Sequence, residues 1–281
     1  MGELVVAAVP LGNIGDASER LKDAIRSADI VAAEDSRRFL RLCHDLNIEC
    51  KAKVISFFEG NEIRRLDELA ELLSGSSSVL LVSDAGMPTV SDPGYRAIRL
   101  AIDKGFPVRV IPGPSAVVMA LALSGLPTDR FTFDGFPPRT EGARKEFLES
   151  LATEERTMVF FEAPHRITAF LRDAREIFGP TRLASLSREM TKIYEETVRG
   201  ALDDLLTWSE SKEMLGEFTI VISGFDRSSI TFSDDEIAER VIAHESLGVT
   251  RKEAIAAIAK ELHLPKRRVF DIMVASKASS E

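Results

Sequence analysis

From Glu3 to about residue 125 the chain alternates between short unbroken apolar runs and longer amphipathic ones. The runs ELVVAAV, DIVAAE, KVISFF, SVLLVS and PVRVIP carry almost no polar positions. Between them lie ASERLKDAIRSA, RRFLRLCHDL, IRRLDELAELLS and GYRAIRLAIDKG, whose apolar residues recur every three to four positions. Strands without a polar face must be covered on both sides, so this alternation predicts a parallel sheet with helices on each face. LSGLPTDR (Leu123 to Arg130) reads as a hinge, because Gly and Pro punctuate it. From about 130 to 225 the pattern changes. RFTFDGF, TMVFFEA, RLASLSRE, YEETVRG and FTIVISGF read as strands, and only some have helices between them, which predicts a mixed sheet. DRSSITFSDD reads as a linker, and from Asp234 onward the pattern is helical. Thr250 with Glu253 forms a capping box, and Pro265 opens the last helix. The expected organisation is a parallel-sheet α/β domain over 1–125, a mixed-sheet α/β domain over 126–226, and a helical extension over 227–281 laid out like a helix-turn-helix. No repeat or low-complexity tract interrupts it.

Composition bounds the function. The 281 residues are 44% hydrophobic, enough for a sizeable core, and the net charge of −9 argues against non-specific nucleic-acid binding by the whole surface. An anionic partner must meet a local basic patch. Two cysteines, Cys43 and Cys50, suggest no disulfide framework and fit a reducing cytoplasm. His44 stands beside Cys43, but no second close ligand completes a zinc set, so no metal is expected. The apolar start GELVVAAVPLG has no basic residue before it and is broken by Pro10, so it reads as strand and loop, not as a signal peptide. Val6 stands where a myristoylation pattern needs Ser or Thr. No run approaches the ~18 apolar residues of a membrane span.

The candidate chemistry sits where strands end. DAGMPTVSDPG follows SVLLVS, and ligands of parallel sheets bind beyond the carboxyl ends of the strands. Gly86 permits close backbone approach or a positive φ, Pro88 stiffens the loop, and Asp92 with Pro93 can cap and start the next helix. Alone, the stretch reads equally as a turn with a cap and as a binding loop. Three more stiff loops accompany it: VPLGNIGD after the first strand, VIPGPSAVV with Pro112, Gly113, Pro114 and Ser115, and FFEAPHR in the second half. Four such loops, divided between two halves, predict a cleft that reads its ligand through main-chain groups. Sites of this kind recognise adenine edges and amino-acid carboxylates with few charges. There is no GxxxxGK[ST], no GxGxxG after the first strand and no GxSxG, which disfavours a P-loop, an ordinary dinucleotide or Rossmann methyltransferase site, and a nucleophile elbow.

VPLGNIGD, AAEDSRR, SDAGMPTVSDPG, IPGPSA, FFEAPHR, SREMTK and GEFTIVISG, in that order, resemble the tetrapyrrole-methylase-like superfamily and within it the small-subunit ribosomal RNA methyltransferase I group. The resemblance spans roughly residues 3 to 225, and the helical tail is similar to that group's C-terminal extension. It implies two α/β domains with S-adenosylmethionine in the cleft between them, 2′-O-methylation of a decoding-centre cytidine in 16S rRNA of the 30S subunit, and a homodimer. Val9, Ser36 and Met87 stand where the family more often has threonine. Carried over by motif, the cofactor residues are Pro10, Ala85, Gly86, Met87, Val90, Ser115, Ala116 and Glu162, with Met190 from a looser alignment.

Methyl transfer to a ribose hydroxyl needs alignment and a destination for the proton. The candidate bases are Glu34, Asp35, Glu162, His165 and Glu189, each of which also has a structural explanation. The RNA side needs cations. Arg37, Arg38 and Arg41 fall near one helix face, with no acid between Asp35 and Asp45. Arg139, Arg144 and Lys145 form a second group after GFPP, and Arg166 and Arg188 complete a rim. The tail from Thr250 to Glu281 has seven Lys/Arg and four Asp/Glu, a balance of +3, leaving −12 on the rest of the chain. Its Lys266, Arg267 and Arg268 open the last helix, where their charge opposes the helix dipole and makes an anionic partner plausible. Two other functions fit the same cleft: a small-molecule methylase acting on a corrinoid or porphyrin, and a non-catalytic S-adenosylmethionine sensor that binds duplex DNA through the tail.

Overall fold

In the computed structural model, which describes residues 2–226, 232–262 and 264–278, the five apolar runs of the first half become β1 (Glu3–Ala7), β2 (Ile30–Ala33), β3 (Lys53–Ser56), β4 (Ser78–Val82) and β5 (Val108–Ile111). They form one sheet in the order β3-β2-β4-β1-β5, and every neighbouring pair is parallel. The strands lack a polar face because both faces are covered. Leu4 and Val6 of β1 pack in a layer with Leu69 and Leu73 of α3 (Glu62–Ser74) and with Ala97 and Ala101 of α4 (Tyr95–Asp103). Val5 and Ala7, one position out of step, join the opposite layer. There they meet Leu21 and Ile25 of α1 (Glu19–Ser27) and Phe39 and Cys43 of α2 (Ser36–Asp45). Both cysteines are free, and burial beside Cys50 pushes the Cys43 thiol up to about 12, so Cys43 serves as a small apolar side chain.

Strand order places the loops. Since β4, β1 and β5 are adjacent and parallel, the loops that follow them emerge side by side at one edge. The second half forms β6 (Phe131–Phe133), β7 (Thr157–Glu162), β8 (Leu183–Arg188), β9 (Glu196–Ala201) and β10 (Phe218–Ile222). Their order is β6-β7-β10-β8-β9, with β6 and β7 parallel and the other pairs antiparallel, the mixed sheet expected. Because β7 and β10 run oppositely with Glu162 facing Phe218, the end of one and the start of the other reach the same edge.

One helix joins the two sheets. The segment AVVMALALS has no polar face and forms α5 (Ala116–Ser124). A helix apolar all round belongs in an interior. Val117, Ala120 and Leu121 pack against Val159 of β7 and Val221 of β10, so α5 follows a strand of the first sheet and docks on the second. The outer face of that sheet is covered by α6 (Glu141–Ser150), α7 (Ile167–Phe178) and α8 (Leu202–Glu210), whose Leu148, Phe170 and Leu205 surround Phe160 and Ile220. Packing divides the chain into a unit ending at Phe225, which holds both sheets, and a second beginning at Asp226.

Two expectations are corrected here. Asp92 does not cap α4, and Pro93 does not open it. Gly94 occupies the cap position at φ 127°, a turn that keeps the helix from starting earlier. The buried carboxylate of Glu62, from the start of α3, accepts from the amides of Gly94 (3.2 Å) and Arg96 (3.1 Å) instead. Arg144 is not an RNA contact either. It is buried, and its Nε and Nη2 each lie 2.7 Å from Oδ2 of buried Asp173 on α7, while neighbouring Lys145 is bound to Glu176 (2.8 Å). Removing one partner of a buried pair strands the other charge, so Arg144→Met is expected to cost about 3–5 kcal/mol. Chemical denaturation of the variant checks this, and a loss below ~1 kcal/mol would contradict it.

The second unit has three helices, α9 (Asp234–Ser246), α10 (Arg251–Glu261) and α11 (Lys266–Ala278), around Ile237, Val241, Ile258, Val269 and Met273. The Thr250–Glu253 capping box is present, as is one at Ser233 with Glu236. Pro265 stands one residue before α11, and its carbonyl accepts from the Arg268 amide at 2.9 Å. Of the linker expected over 226–235, residues 227–231 lie outside the described residues, and Asp234 and Asp235 already belong to α9. Among the described residues no helix is long and apolar enough to cross a membrane.

Candidate functional site

The loops after β1, β4 and β5 meet the end of β7 and the start of β10 around a cavity of about 380 Å³. That volume lies within the ~300–1,000 Å³ usual for small-molecule sites. Of the nine cofactor positions expected from sequence, Ala85, Gly86, Met87, Val90, Ser115, Ala116 and Glu162 line it. Two do not. Pro10 is buried, and its neighbour Leu11 forms the wall; Met190 packs behind α5 with Val117 and Leu121. Sequence reading missed Asp92, Phe136, Phe161 and the stretch Gly216 to Thr219 as lining residues. That stretch was visible as GEFTIVISG, but only its strand register with β7 shows that its first residues reach the cavity.

Each wall has a local cause. Gly86 sits at φ 73° and exchanges hydrogen bonds with Val9, whose amide donates to the Gly86 carbonyl at 2.9 Å. This bridge ties the β4 loop to the β1 loop. Thr89 and Ser91 also have positive φ, as do Glu189 and Thr191 after β8. These four are among only six such non-glycine residues in the described chain. Backbone strain of this kind collects where a loop is held for function. Ser115 begins α5 without bonding back to its own helix, so its hydroxyl and the helix amides are available to the cavity.

Glu162 is the most informative side chain. Its carboxylate is fully buried at the end of β7, where Oε1 accepts from the Ala163 amide at 2.8 Å and pairs with Arg166. Oε2 is buried with no hydrogen-bond partner. A buried acceptor left open in a cavity wall marks a place for a ligand donor.

The other carboxylates differ in what holds them. Arg37, bonded to Asp35 through side chain and backbone, holds that carboxyl at about 2, where it is a weak base. Burial would raise Glu189, but the Lys192 ammonium and the Glu217 amide override it and hold it below the usual carboxylate range. Burial pushes Glu34 up; its Oε2 accepts from the Asp84 amide at 3.1 Å, and it does not line the cavity. Asp92 does line the cavity. Burial and the nearby Glu34 charge push it up to about 7, against a hydrogen bond from Ser83.

His165 lies exposed on the 3-10 turn after β7, outside this cavity, in a neighbouring groove with Phe136, Arg139 and Arg166. The remaining cations divide evenly between engaged and unpaired ones among the described residues. Arg37 pairs with Asp35 (2.9 Å), Arg38 with Asp84 (3.2 Å) and Arg41 with Asp45 (3.7 Å), so the acids flanking the trio, with Asp84, neutralise it. Arg188 is largely buried, 3.4 Å from Glu196. Arg139 is exposed and has no acidic partner among the described residues, nor do Lys266, Arg267 and Arg268 on α11. No group of three or more His, Cys, Asp or Glu is placed to hold a metal among those residues.

Comparison with known proteins gives this site a family. Residues 3–206 match the tetrapyrrole (corrin/porphyrin) methylases. The chain is 42% identical over 278 residues to a Mycobacterium bovis protein named ribosomal RNA small subunit methyltransferase I, covering 98% of this chain and 96% of that one. A Thermotoga maritima protein of the same name is 42% identical over 224 residues, which is 80% of this chain but 99% of the relative. Among solved structures, the methyltransferase CobJ superposes with a TM-score of 0.61 at 19% identity, covering 80% of this chain and 95% of that one. The pair of α/β sheets thus has its counterpart among solved folds, and the chain belongs to the tetrapyrrole methylase family, as a methyltransferase.

Proposed function

We propose that this protein methylates the ribose 2′-hydroxyl of a cytidine in 16S rRNA of the small ribosomal subunit, in the cytoplasm, using S-adenosylmethionine and acting as a homodimer. The observation that carries the reading is the cavity, which is walled by strand-end loops, largely apolar, and provided with one buried open acceptor at Glu162. The residues fit the donor. The Ala85–Gly86–Met87 backbone and the Ser115 hydroxyl would hold its polar edges, and Glu162 Oε2 would accept from one of its N–H groups. When bound, S-adenosylmethionine would supply a methyl group on a positively charged sulfur, with the neutral thioether as leaving group for attack by the hydroxyl oxygen. Fixing the two reactants in line can contribute roughly 7–11 kcal/mol in favourable cases. Asp92 receives the hydroxyl proton, since it is the carboxylate that both faces the cavity and sits on its strained loop. The exposed Arg37, Arg38 and Arg41 exchange their carboxylates for RNA phosphates, because solvent and salt screen surface pairs of this kind and leave them weak. Incubation with labelled donor and 30S subunits, free 16S rRNA or porphyrin precursors tests the reading by where the label goes.

The helical unit assists docking and takes no part in chemistry. The Thermotoga maritima relative matches over a length close to that of the first unit alone. On α11, Lys266, Arg267 and Arg268 stand exposed at the amino end, where cations oppose the dipole. Removal of the chain from Asp226 onward is expected to leave donor affinity unchanged and weaken 30S binding. The salt dependence should become shallower by about 0.7–0.9 in log–log slope for each phosphate that the shortened chain no longer touches. Binding titrations at several salt concentrations check this, and loss of donor binding would contradict it.

A further inference from the structure

Beside the donor cavity lies a second groove of about 660 Å³, lined by Phe136, Pro137, Arg139, Ala163, His165 and Arg166. Phe136 and Ala163 belong to both, so the two spaces are contiguous. We propose that this groove receives one single-stranded nucleotide of the RNA substrate, with its base stacked on Phe136 and its phosphate at Arg139 and His165. The inference rests on the RNA methyltransferase reading above and names the place where the strand enters.

Four observations point to this ligand class. Phe136 is a large apolar side chain left 55% exposed at the junction of the two spaces. It is also held in position: the carbonyl of Gly135 accepts from the Phe161 amide at 2.9 Å, and the Phe136 ring meets Phe161 edge-on with centroids 5.6 Å apart. Such a ring loses little freedom when a base stacks on it, and stacking tolerates any base. Two prolines follow, which stiffen the segment up to Arg139. The charge then fits an anion. Arg139 has no carboxylate partner among the described residues, His165 projects from the turn beside it, no carboxylate lines the groove, and Glu162 of the donor cavity is paired with Arg166. An aromatic platform flanked by an uncompensated cation is the arrangement that binds single-stranded nucleic acid, and a duplex would keep its bases from reaching the ring.

The test compares wild type with Phe136→Leu, Phe136→Trp and Arg139→Gln. Donor affinity is read by calorimetry, KM and kcat on 30S subunits by label transfer, and binding of a short cytidine-containing single-stranded RNA by fluorescence anisotropy. Phe136→Leu keeps apolar volume against Phe161 and removes the stacking face. It is expected to raise the KM for 30S and the Kd for the oligonucleotide at least about fivefold, with Phe136→Trp near wild type. Arg139→Gln, at an exposed position where folding is not at issue, should weaken oligonucleotide binding and make its salt dependence shallower. Unchanged KM and Kd in Phe136→Leu and Arg139→Gln would overturn the proposal. So would an equal loss of donor affinity in Phe136→Leu, since Phe136 would then be a donor wall alone. If wild type methylates no RNA, the functional reading fails, and the oligonucleotide arm still decides whether the groove binds a single strand.

Discussion

Asp92→Asn is expected to lower kcat by about 10²–10⁴-fold while donor affinity stays within twofold of wild type. The magnitude is that of a missing proton acceptor. The variant is nearly isosteric, so the loop that carries residue 92 keeps its shape. Asp92 sits at about 7 because burial and the neighbouring Glu34 and Asp84 charges disfavour its ionised form. Wild-type activity should therefore rise with pH through about 7 as the carboxylate ionises, and the variant should lose that limb. Stability gives an independent sign. A carboxyl raised in the folded state holds its proton while the unfolded chain releases one, so its stabilising contribution is present at pH 4 and is lost as the pH rises to 7. The carboxamide of the variant does not titrate. Wild type and variant should unfold alike near pH 4, and the variant should be the more stable at pH 8, by roughly 1–2 kcal/mol after allowance for solvent screening. Activity with wild-type kcat and an unchanged pH profile would remove Asp92 from the chemistry.

Gly86→Val is expected to weaken donor binding at least about tenfold. At φ 73° an L residue is strained, and a β-branched one more so, at a cost of order 1–3 kcal/mol. A Cβ built there lies 3.1 Å from Cδ2 of Leu11, the side chain that forms the opposite wall. The loop must then shift or the Val9–Gly86 bridge must open, and either change moves the main chain that faces the ligand. Gly86→Ala should lie between the two. Calorimetry measures the effect, with thermal melting to show that the fold survives. A folded valine variant with wild-type affinity would show that this turn does not contact the donor.

Much of this was legible in the chain because it depends on local pattern. β1 and β4 read as doubly covered strands, and α1 to α4 as amphipathic helices, since both faces of the parallel sheet leave their mark on every residue. The loops at Ala85–Met87, Ser115 and Glu162 were legible because Gly, Pro and strand ends announce them. What was not legible depends on partners far away in sequence. Asp92 reads as a helix cap until Gly94 turns the backbone and Glu62, thirty residues earlier, takes over the capping. Arg144 reads as a surface cation until Asp173 meets it in the interior. Arg37 and Arg41 read as free because no acid lies between them, yet Asp35 and Asp45 at the ends reach back to pair with both. Met190 follows a strand end as the other site residues do, and only the docking of α5 on the second sheet puts it in the core. Phe136 is a lone aromatic in GFPP, and its meaning comes from β6 lying parallel to β7, which sets it beside Glu162 and His165.

The most direct measurement is the position of the transferred methyl. Purified protein, donor labelled on its methyl group and 30S subunits lacking the modification are incubated together, with free 16S rRNA and a porphyrin precursor as parallel substrates. The 16S rRNA is then digested to nucleosides and separated by mass. Label is expected in 2′-O-methylcytidine from the 30S arm, with none in the porphyrin. Label on a base, label in the porphyrin, or donor bound without transfer to any substrate would contradict the proposed reaction.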